Sequence, residues 1–390
     1  MEAVLRLLAL LAPVALVAGL WLGGHPDLLP SPVRDVFVGD SEGQVYEDAL
    51  DTLARDYYRE VDRKRLLDAS LGQAVDSLDD RFSHYFSPRA YGDFQQQTEG
   101  RFEGVGMTVE AVDRGLRVLT VYDGSPADRG GLEPGDLITH VNGRSIAGRD
   151  ADDATTQIKG PAGTDVTLTV VARGRDRRVR LKRAEVDIPV VKSGMRRVGG
   201  RRIAYAHLAG FTQGAHGELG RAVRGLLDKG ARGVVLDLRN NGGGLLNEAV
   251  LVSSLFLPDG EIVSTRGRNR AERTYRASGG AISGDVDVVV LVNGQSASAS
   301  EIVAGALHDR DRATLVGTRT FGKGVFQEIE PLPNGGALDI TVGEYFLPSG
   351  RNLGGVGVAK GAGLQPDLRA QDDPKTRRDE ALRAALREAA

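Results

Sequence analysis

Lys323 and Gln327 stand four residues apart in Thr320-Phe321-Gly322-Lys323-Gly324-Val325-Phe326-Gln327. An even spacing puts two strand side chains on one face. A lysine on an inward face, flanked by glycines, is poorly solvated, and desolvation frees its amine to act as a base. The demand is substantial: neutrality at pH 7 asks the surroundings to disfavour the ammonium by roughly 4 kcal/mol. The Gln327 carbonyl can hold such an amine by accepting its hydrogen bond. A second segment is Ser296-Ala297-Ser298-Ala299-Ser300-Glu301. Its small residues let a substrate carbonyl approach, and a serine at a helix N-terminus has the dipole on the correct side for an oxyanion. Ser298 with Glu301 also fits a capping box, so a structural reading stands beside the chemical one. The third segment, Leu236-Asp237-Leu238-Arg239-Asn240-Asn241-Gly242-Gly243-Gly244, runs a strand into a glycine loop and then a helix. Such a loop aims backbone N–H groups into one space, as an oxyanion requires, or is a plain strand-to-helix turn.

Other chemistries fare worse. Gly317 to Lys323 has the spacing of a phosphate loop, but Gly324 follows where serine or threonine belongs, and the next residues read as a strand. Gly294-Gln295-Ser296-Ala297-Ser298 falls short of a nucleophile elbow at its last position. His308 lies ten residues past Ser298 on the same expected helix, nearly three turns away, so a Ser-His pair is not indicated. No His/Asp/Glu cluster has metal-ligand spacing and cysteine is absent, so neither metal nor cofactor is expected. With a net charge of −3, no global field recruits nucleic acid. The basic run Arg173 to Arg183 alternates with Val179 and Leu181 as the wet face of a strand does, with no aromatics for base stacking.

The elements that must position these segments can be read from pattern. The 390 residues are 41% apolar and 26% charged, enough for two or three domains. Ala3 to Leu22 is an apolar stretch broken only by Arg6 and Pro13, near the length that spans a bilayer. Residues 1–24 therefore read as a membrane anchor, or as an exported and cleaved signal, with 25–41 as linker and the remainder outside the cytoplasm. Residues 42–100 show helical spacing at Val45, Ala49 and Leu53, then at Leu66, Leu67, Leu71, Val75 and Leu78, a helical domain whose expected role is packing or dimerisation. Residues 101–186 alternate short strands with Gly/Pro/Asp turns. In 187–370 strands alternate with helices, giving an α/β core, and 371–390 reads as a terminal helix.

The succession Ser125-Pro126-Ala127-Asp128-Arg129-Gly130-Gly131-Leu132, Pro134-Gly135-Asp136-Leu137-Ile138 and Val141-Asn142-Gly143 resembles a PDZ domain. Gly104, Val105, Gly106 and Met107 stand where such domains cradle a peptide's terminal carboxylate. The full order of motifs resembles the C-terminal processing (tail-specific) peptidases of family S41. It runs through Asp79-Asp80-Arg81-Phe82-Ser83, the PDZ domain, Arg239 to Gly244, the serine run, Phe321-Gly322-Lys323-Gly324 with Gln327, Pro348-Ser349-Gly350-Arg351 and Gly363-Leu364-Gln365-Pro366-Asp367. The resemblance implies a multidomain α/β fold: an N-terminal helical region, an inserted PDZ domain of mixed β/α content and a ClpP/crotonase-like peptidase core. It places the nucleophile on Ser298, the general base on Lys323 and the lysine-orienting glutamine on Gln327. Oxyanion donors fall on the backbone of Ala299 and of Gly243 or Gly244. It implies protein or peptide substrates with free C-termini. Phe326, Leu347 and the long stretch from Gly354 to Ala362 depart from the family pattern away from these positions. The rivals are a silent PDZ adaptor, which would bind without turnover, and a phosphate-loop NTPase.

Overall fold

The computed structural model describes residues 41–354, 362–376 and 378–390. The apolar N-terminal stretch, with the linker up to residue 40, and most of the long 354–362 segment lie outside them. Among the described residues no helix is long and apolar enough to cross a membrane. The chain divides into two compact units, one ending at Asp79 and one beginning at Asp80.

The first unit shows helices α1 (Ser41–Asp56) and α2 (Arg63–Asp76). Asp62 caps α2 by accepting from Lys64 N–H at 2.9 Å, satisfying one of its orphan donors. Arg63 bonds Asp51 at 2.9 Å and also Glu47, tying α2 to α1. The stripe expected from Val45 and Leu53 is not the packed face: these are 70% and 49% exposed, whereas Leu50 is buried.

The second unit opens with β1 (His84–Phe86) and α3 (Pro88–Glu99), which Ser87 caps and Pro88 starts. Phe86 stacks on Phe94 of α3. A two-stranded pair follows from β2 (Arg101–Gly104) and β9 (Ala184–Asp187). It brackets a sheet of β3 (Met107–Val112), β4 (Gly115–Val121), β5 (Leu137–Val141), β6 (Arg144–Ser145), β7 (Asp165–Ala172) and β8 (Arg175–Lys182). Helices α4 (Pro126–Arg129) and α5 (Ala151–Ile158) belong to the same region. On β8, Val179 and Leu181 are buried while Arg178, Arg180 and Lys182 face water, as their alternation predicts. At the other edge, among the described residues, β3 pairs only with β4.

The core sheet runs β10 (Val191–Val198), β11 (Arg201–Leu208), β12 (Gly233–Asp237), β15 (Asp287–Val292), β16 (Thr314–Gly317), β19 (Leu368–Arg369); β10 is antiparallel and the rest parallel. Strand β12 is buried along its whole length, and its alternate residues serve two separate cores. Val234 and Leu236 pack on the side of α6 (Ala215–Asp228), α7 (Leu246–Ser254) and α8 (Ala299–Asp309). Val235 packs on the other side, with Ala381, Ala385 and Leu386 of α9 (Glu380–Glu388). The terminal helix is shorter than the composition of 371–390 suggests: Asp372 and Asp379 turn their carboxylates to cap it at Ala381 and Leu382. A second sheet joins β13 (Glu261–Gly267), β14 (Arg270–Arg276), β17 (Val325–Pro331) and β18 (Ala337–Phe346), with β1 paired to β18.

Candidate active site

Three loops leave the C-terminal ends of the neighbouring parallel strands β12, β15 and β16, the edge of an α/β sheet where ligands bind. They carry the glycine run, the serine run and Lys323. Asn241, fully buried, ties the first two together. Its side chain donates to Leu208 C=O at 2.8 Å and accepts from Gly243 N–H at 2.9 Å. Its own carbonyl accepts from Ala297 N–H at 3.1 Å and Ser300 Oγ at 2.8 Å.

Burial separates the three serines, which the sequence pattern does not. Ser296 and Ser300 are fully buried. Ser296 Oγ donates to Leu238 C=O at 2.8 Å, and Ser300 Oγ is spent on Asn241. Ser298 is half-exposed and sits at the N-terminus of α8 with φ 55° and ψ −118°. A non-glycine residue there is strained and persists only if its surroundings hold it. Gly243 lies against it: a Cβ on Gly243 would come 2.9 Å from Ser298 Cβ and 3.0 Å from Ala299 N. Gly244 instead backs onto Phe211, where a Cβ would come 2.5 Å from the carbonyl oxygen.

Glu301 does more than close a capping box. Its buried carboxylate accepts from Ser298 N–H at 3.0 Å, Gly322 N–H at 2.8 Å, Lys323 N–H at 3.0 Å and Thr320 Oγ. One side chain thereby fixes the serine turn to the lysine loop. Burial pushes its carboxyl above the usual range, and these four donors pull it back. Sequence reading missed this role because the capping box already accounts for a glutamate at that spacing.

Lys323 stands just before β17 rather than on it, and β17 carries a bulge between Phe326 and Gln327. Its contact with Gln327 is nevertheless made: Nζ donates to Oε1 at 2.6 Å. Gln327 Nε2 donates to Thr341 Oγ1 at 2.9 Å, which turns the amide oxygen toward the amine. Behind it Thr341 N–H donates to Ser83 Oγ at 3.0 Å, and Ser83 Oγ donates to Asp80 at 2.6 Å. The Phe82 ring covers Nζ at 4.8 Å from its centroid. Burial holds the Lys323 pKa below its ordinary 10.5, against the opposing pull of Asp339, Asp80 and Glu301. The amine makes no hydrogen bond to Ser298 in this arrangement. The Asp80–Ser83 segment stands out in the sequence only as part of the family resemblance; its position beside Lys323 comes from the pairing of β1 with β18.

In the PDZ-like sheet Gly104 ends β2, Val105 and Gly106 form a buried turn, and Met107 begins β3. The carbonyl of Val105 accepts from Ala127 N–H at 2.7 Å and that of Gly106 from Tyr122 N–H at 3.0 Å. Met107 and Thr108 line a cavity of about 530 Å³ with Thr155 and Thr156 of α5 and Gln96 of α3.

A parallel α/β core with a half-buried serine and a half-buried lysine on adjoining loops, joined to a peptide-docking sheet, defines a class: a serine-type peptidase carrying a PDZ domain. Comparison with known proteins agrees. The model of peptidase family S41 matches residues 202–369 and that of the PDZ domain matches 117–171. A carboxy-terminal-processing protease of Bartonella bacilliformis is 38% identical over 318 residues, covering 80% of this chain and 73% of that one. A CtpA-like serine protease of Staphylococcus aureus is 33% identical over 331 residues, 84% of this chain, which in turn spans 64% of that longer protein. The solved photosystem II D1 C-terminal processing protease superposes with a TM-score of 0.50 at 29% identity, covering 89% of this chain and 91% of that one. The chain belongs to the C-terminal processing peptidases of family S41.

Proposed function

We propose that the chain is an endopeptidase whose nucleophile is Ser298 and whose general base is the neutral amine of Lys323, oriented by Gln327. The observation that carries this reading is the Glu301 carboxylate, which locks Ser298 and Lys323 into one frame while burial keeps the amine's proton affinity low. In the reaction Lys323 takes the Ser298 hydroxyl proton as Oγ attacks the scissile carbonyl. The oxyanion is met by Ala299 N–H at the start of α8 and by the glycine turn at Gly243. The lysine then returns its proton to the leaving amine, and water, activated by the same amine, releases the acyl group.

Substrate enters by its C-terminus. Among the described residues strand β3 has a free edge to which an extended peptide can add, and Met107 and Thr108, just past the turn at Gly104 to Gly106, line the cavity beside α5. Cleavage of protein tails near that terminus follows from this docking. The test is covalent: a fluorophosphonate probe should modify the full chain once, at Ser298, as mapped by peptide mass spectrometry. Modification elsewhere, with Ser298 untouched, would overturn the assignment.

The oxyanion turn makes its own prediction. Gly243 has φ 108°, and a Cβ would come 2.9 Å from Ala297 O. Gly243→Ala should therefore displace the turn and lower kcat by about 10²-fold, with a much smaller change in KM. Steady-state kinetics on a tail-bearing protein substrate would measure both.

A further inference from the structure

The cavity beside the start of β3 is not built from the PDZ-like sheet alone. Helix α3 forms one of its walls: Arg89, Asp93, Gln96 and Gln97 recur at helical spacing on one face, and all four line it. That helix lies outside residues 117–171, the stretch that the PDZ model matches. It is also fixed in place. Gly100 ends it in the left-handed region at φ 68°, where a Cβ would come 2.9 Å from Thr212 Oγ1. The Gly100 carbonyl accepts from Ile188 N–H at 2.8 Å, and the Thr98 carbonyl accepts from Gln213 N–H at 3.1 Å. The wall is thus tied to the segment before the core sheet and runs straight into β2.

The lining has two characters. Phe102 and Tyr122 meet edge to face with centroids 6.1 Å apart and give it an apolar side. Among the described lining residues Arg89, Arg101 and Lys159 set three positive charges against the carboxylate of Asp93. Arg101 is engaged by Glu185. Among the described residues neither Arg89 nor Lys159 pairs with a carboxylate. A concave site with an excess of one sign concentrates ligands of the other. The terminal carboxylate of a docked tail answers one of these charges and leaves the second unmet. The cavity meets β3 only at Met107 and Thr108, so it spans about two or three residues of an extended partner.

We infer that Arg89 of α3, together with Lys159, selects substrate tails carrying an acidic side chain within the last three residues, beside an apolar one that rests on Phe102 and Tyr122. The inference rests on the docking of C-termini at β3 proposed above. Helix α3 is then a specificity element supplied from outside the PDZ domain. It acts on the tail and not on the reacting atoms, so its effect falls on KM and leaves kcat for different tails alike.

The experiment is steady-state cleavage by the full chain of one unfolded reporter protein ending in Leu-Glu-Leu, Leu-Gln-Leu or Leu-Lys-Leu, with the first also prepared as its C-terminal amide. Exchange of Glu for Gln should raise KM about three- to fivefold at low salt, the range of an exposed ion pair, and exchange for Lys about tenfold. Both differences should shrink in about 1 M salt. Arg89→Glu should erase the preference, and Arg89→Glu combined with Lys159→Glu should invert it. A residue that only packs would shift KM for all three tails alike. Equal KM for the Glu and Lys tails in wild type, or a double variant that keeps the wild-type order, would overturn the inference. Should the double variant not fold, Arg89→Glu decides alone, and an undiminished preference for the Glu tail defeats the proposal. The amide separates the two readings. If amidation raises KM while exchange of Glu for Lys does not, only the α3 inference fails. If amidation leaves KM unchanged, the docking of C-termini falls and this inference with it.

Discussion

Lys323→Ala should reduce turnover of an unfolded, apolar-tailed substrate by on the order of 10⁴-fold, the upper range for loss of a positioned general base. Ser298→Ala should lose at least as much, and the double variant should be no worse than the worse single one, because nucleophile and base act as a unit. Lys323→Arg should be as inactive as alanine, since a guanidinium does not give up its proton. The pH dependence has a definite sign. The folded-state pKa of Lys323 lies below the unfolded value near 10.5, so the folded protein binds fewer protons at this site. The stability this contributes is complete above the unfolded pKa and is lost as pH falls through the depressed folded one. The proposed base is lost in the same range. Activity should fall as the medium is acidified, and a mild loss of stability should accompany it that Lys323→Ala abolishes. Rate–pH profiles and urea midpoints measured on the same samples would check this. Full activity in either single variant, or an acid limb of the stability profile untouched by Lys323→Ala, would contradict it.

Glu301→Ala should be the most destabilising substitution at the site, by about 3–5 kcal/mol. It leaves four buried donors without their acceptor, each worth roughly 1–3 kcal/mol when orphaned and partly relieved by water. Those donors are the N–H groups of Ser298, Gly322 and Lys323 and the hydroxyl of Thr320. With the turn released, Ser298 loses the N–H bond that helps to hold it at φ 55°, and the molecules that still fold should turn over at least about 10²-fold more slowly. Glu301→Gln should recover only part of this, because its amide turns an NH₂ toward N–H donors. Stability and activity falling together set this apart from Lys323→Ala, where activity falls without a comparable loss of fold. A Glu301→Ala protein with an unchanged urea midpoint would show that the frame is held elsewhere.

Much of this was legible in the chain. The alternation of Val179 and Leu181 with basic residues located β8, and the strand running into the glycine loop located β12. The glycine loop, the serine run and the Lys323–Gln327 pair were visible as chemistry before any fold was known. The lysine–glutamine contact was expected for a partly mistaken local reason. Both residues were read onto one strand face, whereas Lys323 precedes β17 and Thr341 on β18 turns the amide toward it.

By itself the sequence determined which residue types are available and the local periodicity that builds each element, since steric preference and burial of apolar faces act over a few neighbours. Only the tertiary structure decided which distant groups meet. Ser296 and Ser300 became struts because the Leu238 and Asn241 carbonyls lie beside them. Glu301 became a clamp because the lysine loop crosses the start of α8. Phe82 came over the amine because β1 pairs with β18, which also pairs with β17. Such meetings depend on how strands order themselves in a sheet, and a pattern that reports only which face of its own element a side chain occupies does not contain that order.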